Sequence, residues 1–328
     1  MRAAAAVLLA GLLLGQASTP SVRTRTNDGL HCLHWPVAAG ARGQLTWVQS
    51  SAGDPVLGAG ALDAVTRSGQ TWETQLQACG DLDLVEGTRS SSRSIGYLTG
   101  GPNENLTLFR SQLCSSVVPG NDPCVAANTC ANAYDCWDHP ADTVALTTTT
   151  YQVATGALLD ADVEINAASA TPTIVDSPPC APSALSTSCV ANDVQNAMTH
   201  ELGHFLGLAH SPDPSSTMYA SEPIGETSKR VLDPGSKQFV CDVYPQGQAS
   251  QDCGASSGGT TGGTSSSGCS SAPGGGPLAP GWLLLAILVH RRRCTPSCNP
   301  AGEAVSEGGR RALPHPSGSA PPELGSPR

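Results

Sequence analysis

Apolar residues recur at helical spacing in two stretches of the chain. Leu62, Val65, Trp72 and Leu76 sit near a 3.6-residue period and predict a helix over about 55–78. Val194, Met198, Leu202, Phe205 and Leu206 form a second apolar stripe, with Asn192 as its N-cap and Gln195 as the reciprocal half of a capping box. A last helix is expected at about 230–243. Residues 44–50, the Thr-rich run 144–153 and residues 162–166 predict strands. Between them, residues 80–142 carry Gly, Pro, Asn and four cysteines and predict short strands and disulfide-held loops. Residues 167–190 and 211–230 are expected as loops on either side of the second helix. Strands and helices in separate blocks give an α+β fold class, with a twisted mixed sheet and a cleft between sheet and helix.

The two ends of the chain have a different texture. Arg2, the apolar run 3–14 and the small residues that follow predict a secretory signal over 1–18, too short for a spanning helix of ~20 residues. The folded domain is placed at 19–247. From 248 to 277 the chain is rich in Gly, Ser and Thr, which predicts a flexible linker. Cys269, the apolar stretch that opens segment 278–293 and Arg291-Arg292-Arg293 follow in order. That order resembles the C-terminal sorting segments of myxobacterial exported proteins and implies attachment to the cell envelope through Cys269. A plain membrane anchor is the alternative, but about 12 apolar residues span only about 18 Å as a helix. The Pro/Gly-rich tail 294–328 predicts disorder.

Composition narrows the function classes. The net charge of −10 argues against a nucleic-acid partner and against electrostatic binding to anionic lipid. Without the terminal segments about 220 residues remain, enough for one core. Cys32, Cys79, Cys114, Cys124, Cys130, Cys136, Cys180, Cys189, Cys241 and Cys253 precede the linker. Their even number allows five disulfides and fits export to an oxidising compartment. Connectivity stays open, with Cys180–Cys189 the favoured pair because they flank a short loop.

The sharpest chemical signal is His200-Glu201-Leu-Gly-His204-Phe-Leu-Gly207-Leu-Ala-His210, which fits H-E-x-x-H-x-x-G-x-x-H. Histidines four apart on a helix share a face and can aim both imidazoles at one metal ion. Gly207 can take the left-handed conformation that ends the helix and lets His210 return as a third ligand. Three ligands leave a tetrahedral zinc one open position, which marks a catalytic rather than a structural site. Glu201 is placed to act on water there.

The same run, with Ser216-Thr217-Met218-Tyr219 after it, resembles the metzincin zinc peptidases, and the eight-residue gap from His210 to Met218 resembles the matrixin branch. Residues 61–72, 155–166 and 231–244 resemble the first helix, a strand region and the closing helix of that domain. The resemblance implies one catalytic Zn2+ on His200, His204 and His210, Glu201 as general base and acid, and Met218 in a Met-turn beneath the metal. It implies that the loop after Met218 walls the main side-chain pocket. Tyr219 stands where no catalytic role is implied, and Ala220 follows it. The Pro-Arg-Cys-Gly latency motif and hemopexin-like repeats are absent from the sequence. Only His31, His34 and His139 stand upstream for a second zinc, so none is expected.

Two further clusters have alternative readings. Asp160, Asp162 and Glu164 alternate and offer oxygen ligands for Ca2+, or a solvated edge face. Asp138, His139 and Asp142 offer a second metal site, or a surface loop. The expected function is a secreted or surface-attached zinc endopeptidase, monomeric, with a protein or peptide substrate. The alternative is a zinc-stabilised surface binding protein without catalysis.

Overall fold

The computed structural model describes residues 21–253 and 304–305. The signal segment, Cys269 and segment 278–293 lie outside them, as do most of the linker and tail. In chain order the elements are β1 (Gly43–Gln49), α1 (Ala59–Cys79), β2 (Leu82–Glu86), β3 (Asn105–Arg110), α2 (Cys114–Val117), α3 (Pro123–Ala127), α4 (Cys130–Tyr134), β4 (Ala145–Tyr151), β5 (Leu158–Asn166), β6 (Pro172–Thr173), β7 (Asn192–Asp193), α5 (Val194–Phe205), a 3-10 turn (Ser228–Arg230), α6 (Pro234–Val243) and β8 (Ala304–Val305). The main sheet runs β2-β1-β3-β5-β4-β8. β2, β1, β3 and β5 are parallel, while β4 is antiparallel to β5.

Residues two apart on a strand share a face, and the two faces of this sheet are built differently. On one, Leu45, Trp47, Leu84, Phe109, Ala161, Val163 and Ile165 join the stripes of α1, α5 and α6 in the main core. All five residues of the predicted α5 stripe are buried, as are the four of α1. Trp72 ties α1 to α5 by donating from its indole N–H to Thr199 O at 2.8 Å.

The other face carries Leu106, Leu108 and Arg110 from β3 and Asp160, Asp162 and Glu164 from β5, all buried. A solvated edge was expected for the three acids. It is not found, because β5 pairs on both sides and the irregular segment between β2 and β4 folds over them. Arg110, wholly buried, bonds Glu164 through Nε at 2.7 Å and Asp135 through Nη1 at 2.8 Å. His139 Nε2 meets the other Glu164 oxygen at 3.1 Å, so this histidine belongs to the ionic network. Asp162 accepts from the backbone N–H groups of Gly96 and Leu106. Among the described residues, neither the strand acids nor Asp138, His139 and Asp142 gather as a three-ligand metal group. The three short helices α2–α4, absent from the sequence expectation, are held by Cys114–Cys136 and Cys124–Cys130.

All ten cysteines pair: the other bridges are Cys32–Cys253, Cys79–Cys241 and the expected Cys180–Cys189. The first ties Cys253, within the stretch read as linker, to Cys32 of the domain. Residues 248–253 are polar yet held on the domain, with Ser250 N–H on Val37 O and Gln251 N–H on Val243 O. The N-cap of α5 also differs from expectation. Asp193, not Asn192, accepts from Asn196 N–H, because Asn192 is paired in β7 and its Oδ1 takes the N–H of Thr171. α6 starts at Pro234 because Asp233 caps it and proline suits the first helical position.

Candidate metal centre and cleft

α5 ends where the motif requires. Leu206 closes the helix and Gly207 turns at φ +106°, a region that strains any residue with a Cβ. Residues 208–211 are then fixed from two sides. Thr24 Oγ1 donates to Leu208 O and Ala209 N–H to Val22 O, while Ser211 N–H bonds Met218 O. His210 stands between these anchors, facing the helix it has just left.

The three imidazoles converge. Ring centroids lie 4.8 Å apart for His200 and His204, 4.6 Å for His204 and His210, and 5.3 Å for His200 and His210. One ligand nitrogen from each falls within 4.8 Å of the others. His200 Nδ1 bonds Thr217 O at 2.7 Å, and His204 Nδ1 bonds Leu208 O at 2.8 Å. A carbonyl can only accept, so each Nδ1 carries the proton and each Nε2 presents a lone pair. Those two Nε2 atoms are 3.2 Å apart. Two lone pairs at that separation repel unless a cation lies between them. Tetrahedral zinc with Zn–N near 2.05 Å sets its ligand nitrogens roughly 3.3 Å apart. The donor set therefore fits zinc. Burial first, then the nearby His204 and Lys229 charges, hold His200 far below the usual histidine range and keep it neutral.

Glu201 follows His200 on the helix and lies on the cleft wall. Thr147 of β4 donates to its Oε2 at 2.6 Å. Burial raises the Glu201 carboxyl to about 6, against the opposing Thr147 bond and the His210 and Lys229 charges. Below the helix, Met218 is buried, and a Cβ added at Gly203 would stand 2.2 Å from its sulfur. Asp233 ties the Met218 turn to α6 by accepting from Thr217 N–H at 3.0 Å.

The cleft beside these residues has a volume of about 560 Å³. β4 forms one wall, and Ala220, Ser221, Glu222 and Lys229 form part of the other. Thr147, Glu222, Lys229 and Asp233 also belong to the site and are not predicted from the sequence. Asp233-Pro234 carries a cap signal that identifies it. Thr147 reaches Glu201 across 54 positions of sequence, and no local pattern marks such a contact.

Comparison with known proteins turns this geometry toward a family. Residues 128–244 match the matrixin family model. The matched span holds the triad, Glu201, Met218 and α6, and supports a metallopeptidase hydrolase. A 46-residue stretch is 44% identical to matrilysin of Felis catus, covering 14% of this chain. The stretch spans 18% of matrilysin's own length.

Proposed function

We propose that this chain is an exported zinc endopeptidase that hydrolyses peptide bonds in the cleft between β4 and α5. The observation that carries the reading is the pair of Nε2 lone pairs 3.2 Å apart, each locked by a carbonyl on the opposite nitrogen. His200, His204 and His210 would hold the ion. Zinc bound there supplies Lewis acidity and makes water acidic enough to lose a proton near neutral pH. Glu201 would take a proton from water on Oε1, the oxygen Thr147 does not engage, and return it to the leaving amine nitrogen. Met218 fills the space under Gly203 as a Met-turn and keeps the two helical ligands on a rigid floor. Five disulfides support a secreted or cell-surface location. Attachment through Cys269 and segment 278–293 is part of the proposal.

Glu201→Ala tests the assignment. The variant is expected to bind one zinc per chain and to lose hydrolysis of casein by at least a hundredfold. Comparable turnover would remove Glu201 from the mechanism. Zinc retention with no turnover by the parent would favour the binding-protein alternative.

A further inference from the structure

The cleft that holds His200 is also lined by Ala197, Ala220, Ser221, Glu222 and Lys229, and this part of its lining is charged. Lys229 is 3% exposed, and its ammonium donates to Tyr219 O at 2.7 Å and Ser221 O at 2.8 Å. It therefore serves as a clasp for the loop. Two carboxylates stand near this ammonium, and of the two Glu222 lines the cleft. Glu226 Oε2 lies 3.9 Å from Lys229 Nζ, beyond hydrogen-bond reach. Glu222 Oε1 and Glu226 Oε2 are both buried without a hydrogen bond of normal geometry, although the Asn196 side-chain amide acts on the Glu222 carboxyl. One ammonium, already committed to carbonyls, thus stands against two carboxylates with orphaned oxygens.

Buried acceptors without donors are costly, about 1–3 kcal/mol each and more for charged groups. An apolar side chain entering this pocket would leave them orphaned, and an acidic one would add a third negative group. A side chain ending in a guanidinium or ammonium would supply both the donors and the missing positive charge, a guanidinium in bidentate geometry. We infer that this pocket selects an arginine or lysine side chain of the substrate, with Glu222 as the residue that sets the preference and Glu226 supporting it. The inference rests on the peptidase reading and names the substrate class for that same site. Burial, with Glu226 and Asp193 adding, raises the Glu222 carboxyl to about 8 against Lys229 and Asn196. Without a cation in the pocket it is held protonated near neutral pH, and an entering guanidinium or ammonium would draw it to the carboxylate.

The test uses the full zinc-loaded chain on a mixture of random-sequence peptides, with every cleaved bond located by mass spectrometry. One fixed position relative to the scissile bond is expected to be enriched in Arg and Lys. A matched pair of fluorogenic peptides then carries arginine or citrulline at that position, which removes charge and keeps shape. kcat/KM is expected to be at least tenfold higher for arginine, and Glu222→Gln to bring that ratio close to one. The ratio is taken within one protein sample, so partial misfolding of the variant cancels. Enrichment of leucine, an aromatic or an acid at that position would overturn the inference, as would an arginine-to-citrulline ratio near one. A ratio unchanged by E222Q would remove Glu222 from it. Cleavage without the preference defeats the inference alone. No cleavage of any peptide defeats the peptidase reading, and the inference falls with it.

Discussion

Gly207→Ala is expected to damage both fold and metal site, and its cost can be worked from the backbone. At φ +106° an alanine pays a left-handed strain of about 1–2 kcal/mol. The added Cβ would stand 2.4 Å from Leu33 O, a backbone atom that cannot swing aside. The 22–33 segment must move, and with it go Thr24 N–H on Gly207 O, Thr24 Oγ1 on Leu208 O and Ala209 N–H on Val22 O. At roughly 0.5–1.5 kcal/mol each, weakening these brings the total to about 3–5 kcal/mol. For a domain of this size that corresponds to a fall in Tm of about 10 °C. Gly29→Ala isolates the strain: its φ is +73° and nothing lies within 4 Å of the new Cβ. That variant is expected to lose only about 1 kcal/mol. The assay is urea unfolding of both variants, metal-free and with disulfides intact, beside a zinc titration against a chromophoric chelator. Zinc affinity is expected to fall at least tenfold in G207A alone, because His210 follows the displaced turn. Equal stability of G207A and G29A, with unchanged zinc affinity, would refute the reasoning.

Arg110→Met strands a buried Glu164 and is expected to cost about 3–5 kcal/mol, whereas R110M combined with E164L recovers most of it; a loss under about 1 kcal/mol in the single variant, by urea unfolding, would contradict the network. Burial raises Asp160 to about 6 and Asp162 well above its usual range, the latter reinforced by its neighbour's charge. Both groups bind protons more readily folded than unfolded, so each contribution is complete below about pH 4 and is lost as pH rises, that of Asp160 through about 6. Wild type minus Asp160→Asn is therefore expected to fall in stability by about 2–3 kcal/mol between those limits, and parallel curves would deny it. Removing Cys32–Cys253 by paired serines frees a loop of roughly 60 residues, counted through the Cys79–Cys241 bridge, and is expected to cost about 4 kcal/mol by unfolding. An unchanged Tm would show that residues 248–253 do not lock the domain.

What could be read in the sequence is local. The stripes of α1 and α5, the turn at Gly207 and the spacing of the histidines are set by helical periodicity and by one glycine's freedom, and all fall where expected. Asn192 was a reasonable cap by residue type, but its tertiary strand pairing left the role to Asp193. The second face of the sheet was not legible. Asp160, Asp162 and Glu164 look like solvent-facing acids until Arg110, His139 and the Gly96 loop come to cover them. Glu222 and Lys229 likewise gain meaning only once the loop after Met218 folds back beside His200. Long-range polar pairing leaves no period in a sequence, and this fold places its buried charges through such pairing.

The most direct measurement is the appearance of new amino termini in casein incubated with the full chain, purified with disulfides formed, then stripped of metal and reloaded with one zinc. Cleavage is expected from the zinc-loaded protein, none from the stripped protein, and recovery on return of the ion. A folded protein holding one zinc on His200, His204 and His210 that releases no new termini from casein or from any random-sequence peptide would contradict it.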